Sequence, residues 1–160
     1  MSGFIIFALP VAGGILAISP LPGRGGHYNE DLAHLRDWKP ALVLTMVTQP
    51  ELVGYGAADL GSDILDSGAR WIHMPVKDMA VPDTSQIEEW HSASKAALAA
   101  LQGGGRVLIH CLGGCGRSGM AALRLMIEAG EAPDAALARL RSVRPGAVET
   151  EEQRAWAVSP

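Results

Sequence analysis

The sequence predicts an α/β fold: a mostly parallel central sheet flanked by helices on both faces. Three observations lead there. Short apolar runs rich in β-branched residues alternate with amphipathic or capped segments along the whole chain, which is the pattern of strands feeding helices. No internal repeat and no long linker breaks that alternation, so the 160 residues read as a single domain spanning 1–160. Finally, a glycine-rich stretch from Cys111 to Arg117 follows an apolar run and opens a helix. Open α/β folds gather their ligands at such strand-to-helix loops.

Each element has its own warrant. "FIIFALP" and "ILAISP" flank Gly13-Gly14 and read as two buried strands joined by a hairpin turn. Residues 20–31 form a loop by their Pro and Gly content. "EDLAHLRDWKP" is a short helix that stops before Pro40. Residues 41–47 are a buried strand carrying the β-branched Val43 and Thr45. A helical turn follows, with Pro50 at a favourable first position and Glu51 in the first turn. "LGSDILDSGA" holds a short helix closed by Gly68, and 70–76 is the next strand.

From about Thr84 to Gln102 the spacing of Ile87, Trp90, Ala97, Leu98 and Leu101 marks one helical face. Asp83 or Thr84 caps this helix, and Gly103-Gly104-Gly105 ends it. Residues 106–110 are a strand and Ser118 to Ala129 a helix. "APDAALARLRSVRP" is a helix stopped by Pro145, and "TEEQRAWAV" is a last short one.

Composition narrows the function. The net charge is −4, and no long basic run is present. Nucleic acid and an anionic membrane surface are therefore not expected partners. Phe4 to Ile18 is apolar, but no Lys or Arg precedes it, and Pro10 and the glycine pair interrupt it. It reads as strands rather than as a signal peptide or a membrane span. The two cysteines, Cys111 and Cys115, sit in one loop. They do not form the dispersed framework of a disulfide scaffold. With only His110 beside them, they are too few for a structural zinc site. No metal and no cofactor is expected. Two thiols in one glycine-rich loop suit a reducing compartment, so the expected location is cytoplasmic.

The loop's residue types converge on one chemistry, holding an oxyanion against a thiolate. A nucleophilic cysteine must be ionised, and three features near Cys111 favour that. Gly113, Gly114 and Gly116 let successive backbone amides turn inward as an anion-binding nest. The helix that starts near Arg117 points its positive end at the same spot. Ser118 can donate a hydrogen bond to the sulfur. Arg117 adds a planar fork that matches two phosphoryl oxygens. A proton donor is available in "PVKDMAVPD", where Asp78 directly follows a strand while Asp83 is placed to cap the helix.

"HCLGGCGRSG" resembles the signature loop of cysteine-dependent protein phosphatases, the tyrosine and dual-specificity class. "ISPLPG", "PVKDMAVPD" and "RPGAVETEEQ" are similar, in the same order, to segments of its cyclin-dependent-kinase-associated subgroup. The resemblance runs from about residue 15 to 157. It implies a phosphomonoester hydrolase acting on a phosphorylated protein or peptide through a cysteinyl-phosphate intermediate. Cys111 would be the nucleophile, Arg117 the phosphoryl clamp, Ser118 the partner of the leaving thiolate and Asp78 the general acid. The backbone of Leu112, Gly113, Gly114, Cys115 and Gly116 would bind the phosphoryl oxygens. His110 would orient the loop, and Gln153 would position the hydrolytic water.

One departure is Cys115, where the subgroup usually lacks a cysteine. A reversible disulfide with Cys111 and a plain small apolar filler are both open readings. Two other functions share such a loop, a rhodanese-like sulfur-transfer enzyme and an inactive phosphoprotein-binding relative. Phosphotyrosine against phosphoserine or phosphothreonine depends on pocket depth, and sequence does not give that.

Overall fold

The computed structural model describes residues 3–159. Five strands form one sheet in the order β1-β2-β5-β3-β4. They are β1 (Phe7–Val11), β2 (Gly14–Ser19), β3 (Leu42–Thr45), β4 (Arg70–His73) and β5 (Arg106–His110). The helices are α1 (Tyr28–Asp37), α2 (Gln49–Gly54), α3 (Leu60–Asp66), α4 (Ile87–Gln102), α5 (Gly116–Glu128), α6 (Pro133–Val143) and α7 (Glu151–Val158). Four strands run parallel, and β1 pairs antiparallel with β2, so the sheet is mixed.

The β1–β2 hairpin turns on Ala12 and Gly13, both at positive φ, one residue earlier than the expected Gly-Gly centre. Gly14 is left inside β2, where a side chain would collide with the Gly105 carbonyl and Leu101. Its role is close approach rather than turning. The helix expected from Thr84 begins as a single 3-10 turn, Thr84–Gln86. Asp83 caps it, accepting from the Ser85 amide at 2.9 Å while Gln86 reaches back to the Asp83 amide. Of the apolar face read from sequence, Trp90, Ala97 and Leu101 are buried, whereas Ile87 lies exposed at the helix entrance.

Helix α5 organises the core. Every residue from Gly116 to Met126 is buried. It packs on β2 and β5 and against α6 and α7, while α4 lies across β2, β5 and β3. Such a helix must be apolar nearly all round and small where neighbours come close. At Gly119 a Cβ would meet the Val148 amide at 2.7 Å. No helix among the described residues is long and apolar enough to cross a membrane.

The register levels the carboxyl ends of the parallel strands. Ser19 of β2 lies opposite His110 of β5, which lies opposite Thr45 of β3, which lies opposite His73 of β4. The chain leaves the sheet just beyond this row four times. Those four exits carry Arg24, Cys111, Glu51 and Asp78, residues that sequence separates by up to 87 positions.

Candidate active site

Cys111 is the first residue past β5 and is 3% exposed. Its Sγ lies 3.2 Å from Ser118 Oγ, one turn into α5. The helix opens earlier than the expected Ser118, at Gly116, with Cys115 as the N-cap. That first position needs glycine, because a side chain there would run into Glu149 and Gln153. The first amides of α5 therefore fall inside the glycine-rich loop itself.

Four successive carbonyls of that loop, Leu112 to Cys115, each accept a hydrogen bond from a residue outside it. Leu112 O accepts from Leu21 N at 3.0 Å. Arg144 takes the next two, Nε donating to Gly114 O at 3.1 Å and Nη2 to Gly113 O at 3.2 Å. Cys115 O accepts from Gly119 N at 3.0 Å and Val148 N at 3.1 Å. A peptide plane with its carbonyl drawn outward presents the opposite amide inward. Gly114, at φ 74°, makes the bend, and its Cα lies against Ser19 and Pro20 with no room for a side chain. Carbonyl capture thus leaves the amides of Gly113 to Gly116 on the opposite side of their peptide planes, free to serve as an anion-binding nest.

Arg117 follows the nest and is 1% exposed. Glu51 grips it from both sides, with Nη1 to Oε1 at 2.8 Å and Nη2 to Oε2 at 2.9 Å. Nη1 also donates to Val76 O at 2.8 Å. Its Nε–H is buried and has no acceptor among the described residues. Glu51 is itself fixed by the α2 capping box, accepting from the Thr48 amide at 2.9 Å. The Arg117 hydrogen bonds hold the Glu51 carboxyl down at about 2, against the opposing effect of partial burial.

Asp78 stands on the loop after β4 with 62% of its side chain exposed. Its Oδ1 lies 3.5 Å from Arg117 Nη2 and accepts from the Met79 amide at 3.0 Å. Asp83 is occupied as the cap described above. Gln153 is wholly buried in the α7 capping box. Its Oε1 accepts from Glu149 N at 2.9 Å and Thr150 N at 3.2 Å, and its Nε2 lies 3.4 Å from Ala80 O on the Asp78 loop. The side chain thus touches both the loop bearing Asp78 and the Gly116 end of the cradle.

His110 lies beneath the cradle, fully buried. Trp71 Nε1 donates to Thr45 Oγ1 at 2.8 Å, which leaves the threonine hydroxyl to donate to His110 Nε2 at 2.7 Å. His110 Nδ1 then carries the proton and faces Cys111 O at 3.3 Å. Burial pushes the imidazole down to about 4, with the Cys111 carbonyl opposing. Cys115 is a free thiol, as is Cys111. Burial raises the Cys115 pKa, and nearby Arg144 works against that rise.

The structure thus brings Cys111, Ser118, Arg117, Asp78, Gln153 and His110 to one place. Sequence reasoning missed Glu51 and Arg144 as site residues. Glu51 had a readable signal, since T-x-x-E marks a capping box, but nothing local says the carboxylate also faces Arg117. Arg144 sits among helix arginines with no distinguishing pattern.

A tetrahedral oxyanion of three outward oxygens suits this cradle, with a sulfur at its base and a carboxyl at its rim. Comparisons with known proteins agree. A family model described as "Swiss Army Knife protein, DSP-PTPase phosphatase domain" matches residues 24–157. The chain is 32% identical over 126 residues to the Mus musculus protein named cyclin-dependent kinase inhibitor 3. That alignment covers 78% of this chain and 58% of the mouse protein, so the chain spans less than two thirds of that relative. Among solved structures, the kinase associated phosphatase KAP, with its catalytic-site cysteine changed to serine, superposes at a TM-score of 0.86. Identity is 24%, over 99% of this chain and 94% of that one. The active form of Tk-PTP gives a TM-score of 0.74 at 29% identity, covering 94% and 92%.

Proposed function

The chain belongs to the DSP-PTPase phosphatase domain family, and from that premise we propose that it hydrolyses phosphomonoesters on proteins or peptides through a cysteinyl-phosphate at Cys111. In this reading residues 1–160 act as one phosphatase domain. The Cys111 thiolate attacks phosphorus from the floor of the cradle. Three phosphoryl oxygens take the inward amides of Leu112 to Gly116 and the free donors of Arg117. The ester oxygen leaves with the Asp78 proton, forming the alcohol and a sulfur–phosphorus bond. Asp78, now ionised, takes a proton from a water held beside Gln153, and the resulting hydroxide attacks phosphorus. Inorganic phosphate departs and the electron pair returns to sulfur, where Ser118 Oγ hydrogen-bonds it.

The observation that carries this reading is the outward capture of the Leu112, Gly113, Gly114 and Cys115 carbonyls, which leaves the amides of Gly113 to Gly116 free to serve as an anion-binding nest. Preorganised donors aimed at developing charge are commonly the largest catalytic contribution. The names of the mouse relative and of KAP support a phosphorylated kinase as the substrate class. Two free thiols support work in a reducing compartment, the cytoplasm.

Cys111→Ser tests the reading directly. Wild type should turn over para-nitrophenyl phosphate with no added metal and be blocked by vanadate. The serine variant should lose turnover yet still bind a phosphopeptide, and acid quenching should trap phosphate on wild-type Cys111 alone. Undiminished turnover by the serine variant would overturn it.

A further inference from the structure

We propose that Arg24, with the cavity it borders, forms a subsite for a second anionic group on the substrate, next to the phosphoryl group being removed. The proposal rests on the phosphatase reading above and deepens it toward substrate choice.

Position is the first argument. The cavity, of about 220 Å³, is lined by Phe4, Pro20, Leu21, Arg24, Gly25 and Asp31 together with Gly3. Its wall is fastened to the cradle loop, with the Leu21 amide on the Leu112 carbonyl and Gly114 packed on Ser19 and Pro20. Arg24 Nη1 lies 3.4 Å from where a Cβ on Gly113 would stand. Gly113 is the second residue after the nucleophile. An extended peptide advances about 3.3–3.4 Å per residue, so a group at this place faces a near neighbour of the phosphorylated residue.

Availability is the second. Arg24 and Arg70 alone among the arginines make no side-chain hydrogen bond or ion pair within the described residues. Arg36, Arg106, Arg117, Arg124, Arg139, Arg141, Arg144 and Arg154 all have partners. Arg70 opens β4, away from the cradle end of the sheet. Arg117 is already shared between Glu51 and Val76, which leaves Nε for the phosphoryl group itself. A second anion therefore needs another cation, and Arg24 offers an unused fork.

The backbone beneath Arg24 is fixed while the side chain is not. The Arg24 amide donates to Leu21 O at 3.0 Å, Gly26 N to Gly23 O at 2.9 Å, and Gly23 N to the buried Asp31 Oδ2 at 2.9 Å. Asp31 is the sole carboxylate lining the cavity. Its Oδ1 is buried and makes no hydrogen bond or ion pair with Arg24 among the described residues, so the guanidinium is not held by it. Phe4 and Leu21 supply apolar surface for the stem of an acidic side chain.

The test compares kcat/KM on three matched phosphopeptides, one with neutral neighbours, one with flanking glutamates and one with a second phosphorylated residue. Wild type should prefer one or both anionic peptides by roughly tenfold, the scale of a charge-assisted hydrogen bond. The change should lie mainly in KM and shrink with added salt. Arg24→Gln should erase the preference while para-nitrophenyl phosphate and the neutral peptide keep their rates. Arg24→Lys should restore part of it. Which anionic peptide leads identifies carboxylate or phosphate as the group recognised. Absence of an anion preference in wild type, its survival in Arg24→Gln, or an equal loss on all substrates overturns the subsite. Failure of wild type to turn over para-nitrophenyl phosphate overturns the phosphatase reading instead.

Discussion

Glu51 holds Arg117 by two parallel hydrogen bonds, of 2.8 and 2.9 Å, across 66 residues of sequence. The geometry fixes the plane of the guanidinium, and with it the direction of the one Nε–H left without a protein partner. Glu51→Gln keeps the shape and removes the charge, leaving a buried arginine with a neutral partner. Losing one member of a buried pair is costly because the other remains desolvated. Turnover of para-nitrophenyl phosphate should fall ~10–100-fold, with vanadate inhibition weakened in parallel. Steady-state kinetics and vanadate titration check both.

Asp78 is the exposed carboxyl at the rim, and the proposed proton donor. Asp78→Asn should slow an alkyl or tyrosyl phosphate by ~100-fold or more, the usual contribution of a general acid. An ester with a good leaving group, which needs no proton, should lose far less. Rates plotted against leaving-group acidity measure the difference. Equal losses across the series would remove Asp78 from the role.

Arg144 keeps two carbonyls of the loop turned away from the sulfur. Arg144→Ala frees both, and Arg144→Lys can satisfy only one with good geometry. Phosphate and vanadate affinity should drop by roughly tenfold in the alanine variant and less in the lysine variant, since about one inward donor is misaligned for each carbonyl released. Isothermal titration with vanadate reads this without reference to turnover.

His110 links the site to pH through stability. Its imidazole ordinarily titrates near 6.5, but burial holds it at about 4 in the fold. Between those values the unfolded chain binds the proton and the native chain does not. Stability is therefore complete above about pH 6.5 and falls as pH drops toward 4, by roughly 3 kcal/mol from this group. Urea midpoints measured across that window should show the decline, and His110→Asn should flatten it. An imidazole NMR signal that titrates in the ordinary range in the native protein would contradict the expectation.

The chemistry-bearing loop was legible because its logic is local. A strand end, a thiol, glycines, an arginine and a hydroxyl lie within nine consecutive positions, His110 to Ser118. The cap at Asp83 was legible for the same reason, since a side chain bonding two residues ahead leaves a short-range mark. The alternation of elements gave the sheet, and β1 makes it mixed because a two-residue turn at Ala12-Gly13 can only reverse the chain. Glu51, Arg144 and Thr45 were illegible as site residues because each acts through a tertiary contact spanning 30 to 66 positions. Helix α5 begins two residues before the expected Ser118, at Gly116, a residue of low helix propensity whose place is set by contacts with Glu149 and Gln153 that are distant in sequence.

The carbonyl anchors reach the cradle from Leu21 on one side and from Arg144 and Val148 on the other. Loss of the Arg144 side chain alone would thus leave the thiol, its clamp and its proton donor untouched, yet it would free two of the carbonyls whose capture shapes the cradle. Inactivating changes in such a protein need not fall anywhere near its signature: a single substitution thirty residues past Gly114, at Arg144, reaches it.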